Sequence, residues 1–566
     1  MLRVTELRLP LDHAPGALVP ALAARLGIPA ADVGEHHVAR RGYDARRRGD
    51  IRLVYTLDVA VRDERAVSAT GVGPSPDTRY RFVAHAGERA PDAPRPVVIG
   101  AGPCGLFAAL LLAQMGLRPI VLERGQPVRR RTQDTWALWR RSTLDPESNV
   151  QFGEGGAGTF SDGKLWSQVS DPRHYGRKVL DEFVLAGAPE EILTVSKPHI
   201  GTFRLVGMVE RMRATIESLG GEYRFASRVA CLDLRPEPPG ARADPPAAFK
   251  PGASEPGGDP EPWDGPRLRV AGVVLADGSR IAADHVVLAI GHSARDTTEA
   301  LHRDGVAMRA KPFSLGVRIE HPQSLIDGAR FGAQAGHALL GAADYKLVHH
   351  CANGRSAYSF CMCPGGTVVA AASEPGRLVT NGMSQYSRNE RNANAGLVVA
   401  VTPDDYPGDA LAGIAFQRRW EEAAFHAGGG TYAAPAQRVG DFLAGRASTE
   451  LGAVTPSYRP GVRPTDLATC LPDYATAAIR EALPAFDRQI PGFAMEDAVM
   501  TGVETRTSSP VRMLRRRDGR SLNVAGLYPS GEGAGHAGGI LSAGIDGIRA
   551  AEAVALSVLG QAQAAA

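Results

Sequence analysis

The chain has 566 residues, of which 44% are apolar and 22% charged. That is the balance of a water-soluble globular protein with material for about three to four domains. A net charge of +3 is too mild to make nucleic acid or an acidic membrane the main partner, and six scattered cysteines exclude a secreted disulfide framework. The first residues, MLRVTELRLPLDH, carry charges at positions 3, 6 and 8 and no apolar core, so no signal peptide is expected and a cytoplasmic location follows.

Residues 1 to about 90 read as a small α/β domain. It has a strand near Leu2 to Leu9, a helix near Ala17 to Leu26 and a strand at Ile51 to Val61. Between them Arg40 to Arg48 form a basic, hairpin-like loop. A solvated loop is its simplest reading, and a grip on an anion or an RNA backbone is the rival. The Ala- and Pro-rich stretch Ala84 to Pro96 reads as a linker.

Pro96 to Gly125, PVVIGAGPCGLFAALLLAQMGLRPIVLERG, organises the rest. The apolar run Val97 to Ile99 is of buried-strand type, and Gly100-Ala101-Gly102-Pro103-Cys104-Gly105 follows it as a G-x-G-x-x-G fingerprint. Gly100 permits the tight turn, Gly102 lets backbone approach a pyrophosphate, and Gly105 lets the next helix pack closely on the strand. The helix N-terminus then offers unpaired N–H groups to an anion, and Pro103 stands where a missing N–H costs little. A second strand, Arg118 to Leu122, delivers Glu123, 18 residues beyond Gly105, where a carboxylate accepts ribose hydroxyls and repels a 2′-phosphate. FAD or NAD is favoured over NADP. Val97 to Leu117 is uncharged and long enough to cross a membrane, but its glycines and proline would strand backbone groups in hydrocarbon, so a strand and helix are expected instead.

Arg124 and Arg129 to Arg131 lead into a helix with Trp136 and Trp139, expected as a core-facing aromatic stripe. Asn149 to Lys164 is dense in glycine. Gly158 to Lys164 fits G-x-x-x-x-G-K, but Leu165 stands where a magnesium-binding hydroxyl belongs, and no strand precedes it. A loop laid against a flat cofactor is the reading, with Gly155, Gly156, Thr159, Ser161, Gly163 and the cation of Lys164 beside it. Residues 170–220 read as mainly helical, and Glu222 to Leu234 as a strand pair. Arg235 to Pro266 turns to Pro, Gly, Ala and acid and reads as a disordered insertion, after which strands resume at Leu268 to Leu275 and Arg280 to Ala283 around an Asp277-Gly278 turn.

Asp284 to Ile290 is a buried parallel-type strand running into Gly291. The segment 306–505 changes character, with strands near Phe313 to Ile319 and Thr367 to Ala372 and helices near Ala412 to Ala424 and Tyr474 to Leu483, and is the candidate substrate domain. His349, His350, Cys351, Cys361 and Cys363 have metal-ligand chemistry, but Cys-x-Cys without a second pair is the wrong spacing for zinc. No metal is assigned. A redox thiol beside the cofactor and a plain buried cysteine both stay open. The amide-rich run Asn381 to Asn394 reads as pocket lining. Finally a strand at Leu522 to Ala525 closes the sheet, followed by Gly531-Glu532, His536, Gly538-Gly539 and a helix from Ile540. The acid there can hold ribityl hydroxyls, and the helix N-terminus can face the electron-rich edge of a reduced flavin.

With these motifs in view the chain resembles the FAD-utilising dehydrogenases, a bacterial branch of the glutathione-reductase-type flavoproteins. The resemblance rests on Gly100 to Gly105 with Glu123, on NVQFGEGGAGTFSDGKL (149–165), AIGHSARDT (289–297), KPFSLGVRIEHPQ (311–323), FCMCPGG (360–366), NGMS (381–384) and YPSGEGAGHAGGI (528–540). It implies an α/β fold: a Rossmann-like FAD-binding domain (91–305 and 506–566) with an inserted α+β substrate domain (306–505), behind the small N-terminal α/β domain. It implies FAD contacts at Gly100, Gly102, Gly105, Glu123, the Gly155 to Lys164 loop, the backbone at Val229 for adenine, Gly291, Gly531, Glu532, Gly538 and Gly539. Pro103, Cys104, Arg124 and Ile540 are expected among the cofactor-binding residues as well. Many flavoproteins place Asp where Glu532 stands. The expected activity is an FAD-dependent oxidoreductase exchanging a hydride with a small-molecule substrate, with His536, Lys164 and Cys361 as candidate proton donors or acceptors. The alternatives are a flavin monooxygenase using NAD(P)H and O2, or a flavin-binding protein with an RNA or protein partner. NAD(P)H, as a transient reductant, would dock without a second fingerprint.

Overall fold

The computed structural model describes residues 1–67, 69–87, 93–237, 263 and 265–560. At its amino end, β1 (Leu2–Pro10) pairs antiparallel with β3 (Arg52–Val61). β2 (Val33–Asp44) lies on the far side of β3, and β4 (Val72–Pro74) on the far side of β1. Alternate residues of β3, Leu53, Tyr55, Leu57 and Val59, are buried in one core with Leu22 and Leu26 of α1 (Leu18–Leu26), as a period of two on the strand requires. The basic stretch is only partly a loop. Arg40 to Asp44 belong to β2, in register with Thr56 to Arg52, and Arg46 folds back onto the Asp44 carboxylate. The Arg41 backbone also exchanges hydrogen bonds with Thr194 and Ser196 (2.6 and 2.8 Å), which docks this layer on the next domain. The expected linker lies partly outside the described residues.

A five-stranded parallel sheet follows, built from β5 (Val97–Ile99), β6 (Ile120–Leu122), β7 (Glu222–Arg224), β11 (Val286–Leu288) and β23 (Leu527–Pro529) in the order β23-β11-β5-β6-β7. Every residue of β5, β6 and β11 is buried, because Val98, Val121 and Val287 pack on helical residues such as Phe107 and Ile548, while Val97, Ile99 and Leu288 on the other face pack on strand residues such as Val229, Val270 and Val273. α2 (Pro103–Gln114) is apolar all round and is wedged between the sheet and α11 (Ile540–Val558). A Cβ on Gly547 would stand 2.2 Å from the Cys104 carbonyl oxygen, so glycine sets how closely these helices approach. α3 (Val128–Arg141), α4 (Tyr175–Leu185) and α5 (Thr202–Ser218) complete this layer. The aromatic stripe of α3 is half right. Trp139 is buried and donates to the Ala370 carbonyl, while Trp136 stays on the surface under Arg140.

β8 (Val229–Pro236), β9 (Leu268–Leu275) and β10 (Arg280–Ala282) form an antiparallel group, joined by β22 (Val524–Ala525). The expected last strand is therefore divided. Val524 and Ala525 run parallel to Leu268 and Arg269, and the parallel sheet is closed by Leu527 to Pro529 against β11. Gly526, with φ +77°, makes the break. Most of the insertion expected at 235–266 lies outside the described residues. α6 (Arg295–Arg303) follows β11.

β12 (Met308–Ala310) and β21 (Val511–Met513) form a two-stranded ribbon where the chain leaves and re-enters this part. Between them lies an eight-stranded sheet. Its strands are β13 (Phe313–Pro322), β14 (Leu347–His350), β15 (Ser356–Ala370), β16 (Thr380–Ser384), β17 (Asn392–Val401), β18 (Ala434–Arg438), β19 (Val462–Pro464) and β20 (Val499–Glu504). The order is β14-β15-β17-β13-β20-β18-β19, with β16 on β15. α7 (Gln323–Phe331), α8 (Ala412–Ala427), α9 (Val439–Leu443) and α10 (Asp473–Asp487) surround it. Among the described residues no helix is long and apolar enough to cross a membrane.

Candidate functional site

The two large sheets meet at a cavity of about 490 Å³. Ile99, Leu122 and Ala289 line it, so it opens at the carboxyl ends of β5, β6 and β11, where parallel sheets bind ligands. The fingerprint forms its near wall. Gly100, Gly102, Pro103 and Cys104 line it, and α2 begins at Gly102 with no side-chain cap, which leaves first-turn N–H groups for an anion. Gly105 does not line the cavity. Its added Cβ would lie 1.8 Å from the Gly100 oxygen, so it serves helix-on-strand packing.

Glu123 lines the cavity but does more than face a ribose. Its carboxylate accepts N–H groups from Ala101 (2.8 Å), Gly125 (2.8 Å) and Gly153 (2.9 Å), stitching three loops together. Arg124 lines the same end, stacks 4.0 Å over Phe152 and pairs with Glu147 and Asp296. Val229 lies there with Ser227 and Arg228.

The glycine-rich loop touches the fingerprint directly. A Cβ on Gly156 would stand 2.7 Å from the Gly102 Cα. Gly156, Ser161, Gly163 and Lys164 line the cavity, whereas Gly155 and Thr159 lie behind it. The loop is held from behind by Arg131, a fully buried guanidinium that donates to the carbonyls of Asn149, Val150, Gly153 and Glu154. In the sequence Arg131 is one of several neighbouring arginines and nothing singles it out.

The carboxyl-terminal turn supplies the other wall, through Gly531, Glu532, Gly538, Gly539 and Ile540. The Gly531 N–H donates to Asp546 (2.7 Å), which Arg515 holds in turn (2.8 Å). Gly291 lines the cavity too, and Cβ atoms placed on Gly291, Gly538 or Gly539 would meet nothing within 4 Å. That bare space, beside a second uncapped helix start at Gly539, matches a flat ring with an electron-rich edge. Burial pushes the Glu532 carboxyl up to about 7 against the opposing charge of Lys311. Two uncapped helix N-termini, a surface stripped of Cβ atoms and an acid at each end form a donor set suited to FAD.

The three catalytic candidates separate. Lys164 lines the cavity, donates to the Met362 carbonyl and lies 3.9 Å from Asp162. Cys361 lines it as well, in the left-handed region at φ +49°; the residue is open to the cavity, while the protein packed around its sulfur pushes the thiol up to about 11. His536 does not line it. Its Nε2 donates to the Met513 carbonyl (2.8 Å) and braces the turn against β21. Cys363 lines the cavity, but His349, His350 and Cys351 do not join it, and His349 pairs instead with Glu481 on α10. Of the amide run, Asn381 and Gly382 reach the cavity, while Asn392 and Asn394 are buried beneath it. Glu504 and Arg506 also line it, and neither stands out in the sequence. Their only signal is a charged pair at the end of the apolar run Ala498 to Val503.

Residues 312–507 match a family described as "FAD-dependent protein, C-terminal domain-like", and residues 1–60 match a domain of unknown function, DUF8436. Over 558 residues the chain is 44% identical to an uncharacterized protein of Clostridium beijerinckii, covering 97% of this chain and 98% of that one. Among solved structures, 2-methyl-3-hydroxypyridine-5-carboxylic acid oxygenase aligns over 81% of each chain at 14% identity and a TM-score of 0.31. A complex of aklavinone-11 hydroxylase with FAD and aklavinone aligns over 83% of this chain and 64% of that one, at 13% identity and a TM-score of 0.32. The chain belongs to the family of the Clostridium beijerinckii protein, and FAD is its cofactor.

Proposed function

We propose that the chain is an FAD-dependent dehydrogenase of the glutathione-reductase-type superfamily, which exchanges a hydride with a small-molecule substrate held against the eight-stranded sheet. One observation carries this reading: the cavity that holds the dinucleotide-binding turns continues without a break onto Phe360, Cys361, Cys363, Asn381 and Glu504 of that sheet. A reactant seated on those side chains shares one enclosure with the cofactor.

Bound FAD supplies a two-electron acceptor, and the protein supplies position and electrostatics. The α2 N-terminus and Gly102 would hold the pyrophosphate. Glu123 fixes the loops at the adenosine end, and Glu532 with the α11 N-terminus would meet the ribityl chain and ring edge. Lys164, anchored by Met362 and Asp162, keeps a positive charge at the junction of cofactor and substrate regions.

The test is to purify the holoprotein, record its flavin spectrum, and screen alcohols, amines and NAD(P)H anaerobically for bleaching. A dehydrogenase is bleached without oxygen by its substrate and recovers with an artificial acceptor. Bleaching by NAD(P)H alone, accelerated by a compound that is hydroxylated once oxygen is admitted, would replace this reading with a monooxygenase.

A further inference from the structure

Besides Glu123 and Glu532 of the cofactor turns, the cavity is lined by six groups able to hold a proton: Asp162, Lys164, His292, Cys361, Cys363 and Glu504. His292 is engaged on both ring nitrogens, by the Arg506 carbonyl (3.0 Å) and the Ser293 hydroxyl (3.1 Å). Lys164 is engaged by the Met362 carbonyl as an ammonium. The Cys361 thiol stays protonated at neutral pH, and Cys363 donates to the Cys361 carbonyl (3.6 Å). Nearby Asp162 is occupied on both oxygens by Arg388 (3.0 and 2.5 Å).

Glu504 differs. It ends β20 with a buried carboxyl on the cavity. Gly396 of β17 leaves it room, since a Cβ there would stand 3.1 Å from its Oε2. Its cationic partner, Arg318 of β13, reaches it through one nitrogen (3.1 and 3.4 Å), because the other terminal nitrogen goes to Asn394 (2.5 Å) and the Cys361 carbonyl (3.2 Å). One guanidinium nitrogen leaves the carboxylate with lone pairs to spare.

We propose that Glu504 is the acid–base residue of this site and that the substrate is an alcohol or amine with hydrogen on the adjacent carbon. The C–H bond breaks and its electron pair leaves as hydride for bound FAD. The O–H or N–H proton passes to Glu504, and the C–O or C–N bond becomes double. The substrate is oxidised by two electrons, FAD is reduced by two, and in the reverse direction Glu504 returns the proton. This assignment rests on the dehydrogenase reading above. Burial opposes ionisation of Glu504 strongly enough to raise its pKa above the ordinary value, against Arg318 from β13 and Lys164 from the glycine loop, which favour the carboxylate, and the Cys361 thiol faces it from β15. Base strength is thereby brought closer to working pH, as acid–base catalysis requires.

The test uses holoprotein carrying Glu504→Gln, Glu504→Asp or, as a surface control, Glu210→Gln. Infrared difference spectra between acid and alkaline pH should contain a protonated-carboxyl contribution that Glu504→Gln removes and Glu210→Gln retains. With the alcohol or amine that bleaches wild type, Glu504→Gln should slow bleaching by about 100-fold or more and flatten its rise with pH, while FAD content and spectrum stay unchanged. Glu504→Asp should recover part of the rate and keep a pH limb. An infrared difference unchanged in Glu504→Gln, a Glu504→Gln rate close to wild type, or a pH limb that survives in Glu504→Gln would each overturn the assignment. If no compound bleaches wild type, it is the dehydrogenase reading that fails.

Discussion

Replacing Glu421 by glutamine strikes the point where the two large sheets are bound together. The Glu421 carboxylate is fully buried and accepts five hydrogen bonds: two from Arg295 (2.7 and 2.9 Å), two from Arg506 (3.1 and 2.9 Å) and one from Thr505 (2.8 Å). Arg295 comes from α6 beside the parallel sheet, Glu421 from α8, and Arg506 from the strand exit that lines the cavity. Glutamine keeps the volume but leaves two buried guanidinium groups sharing only Glu374. Breaking a buried ionic group by removing one partner costs about 3–5 kcal/mol, whereas a solvent-screened pair such as Arg129 with Glu210 contributes far less. The two arginines hold the Glu421 pKa far below the usual carboxylate range, so its contribution persists at pH above the ordinary glutamate value and is lost only as pH falls well below it. Urea unfolding of the holoprotein, followed by tryptophan fluorescence at neutral pH, should show a much lower midpoint for Glu421→Gln than for Arg129→Gln. Equal midpoints for the two variants would refute the reasoning, since they would mean that water already shares the charge of the cluster.

Two glycine substitutions should part company. Gly105→Ala places a Cβ 1.8 Å from a backbone oxygen of the fingerprint turn, so flavin content should fall at least about tenfold, equivalent to about 1.4 kcal/mol, with loss of stability. Gly538→Ala meets nothing within 4 Å, so the flavin-free protein should melt as wild type does while FAD affinity drops; unchanged affinity on fluorescence titration would remove Gly538 from the ring site. In flavin-free protein the Glu532 pKa rises from 4.5 to about 7, which amounts to on the order of 3 kcal/mol. The folded state holds that proton to higher pH, so this group costs stability increasingly as pH climbs from 4.5 through about 7. Glu532→Gln should therefore raise the melting temperature at alkaline pH and not at acid pH, and a pH-independent difference would contradict the assignment.

The parallel sheet and its turns were legible because each depends on residues close together in sequence. A buried strand, a glycine turn and an apolar helix announce themselves within Pro96 to Gly125, and the second turn within Ser530 to Ile540. The partners of those turns were not legible. Glu123 reads as a ribose acid, and its three amide contacts come from loops that only the fold brings together. His536 sits in the right motif but points at β21 rather than the cavity, a matter of side-chain direction that spacing does not encode. Arg131 and Glu504 lie in stretches where neighbouring residues have the same character, and their roles appear only once burial is known. The closing strand reads a few residues early because Leu522 to Ala525 is about as apolar as Leu527 to Pro529, and the left-handed turn at Gly526 divides the run between two sheets.

The central position of β11 and β5, flanked by β23 and backed by α11, orders events during synthesis. Strand β5 emerges from the ribosome long before β23, and α2 waits as long for α11, the helix that covers its apolar surface. Until residues 527–558 have been made, the nascent chain exposes an unpaired edge of β11 and a greasy helix, and half of the cofactor cradle is missing. Flavin loading is thus a late event in the life of this polypeptide, and a cell short of FAD would accumulate chains that are fully translated but still awaiting their last stabilising contact.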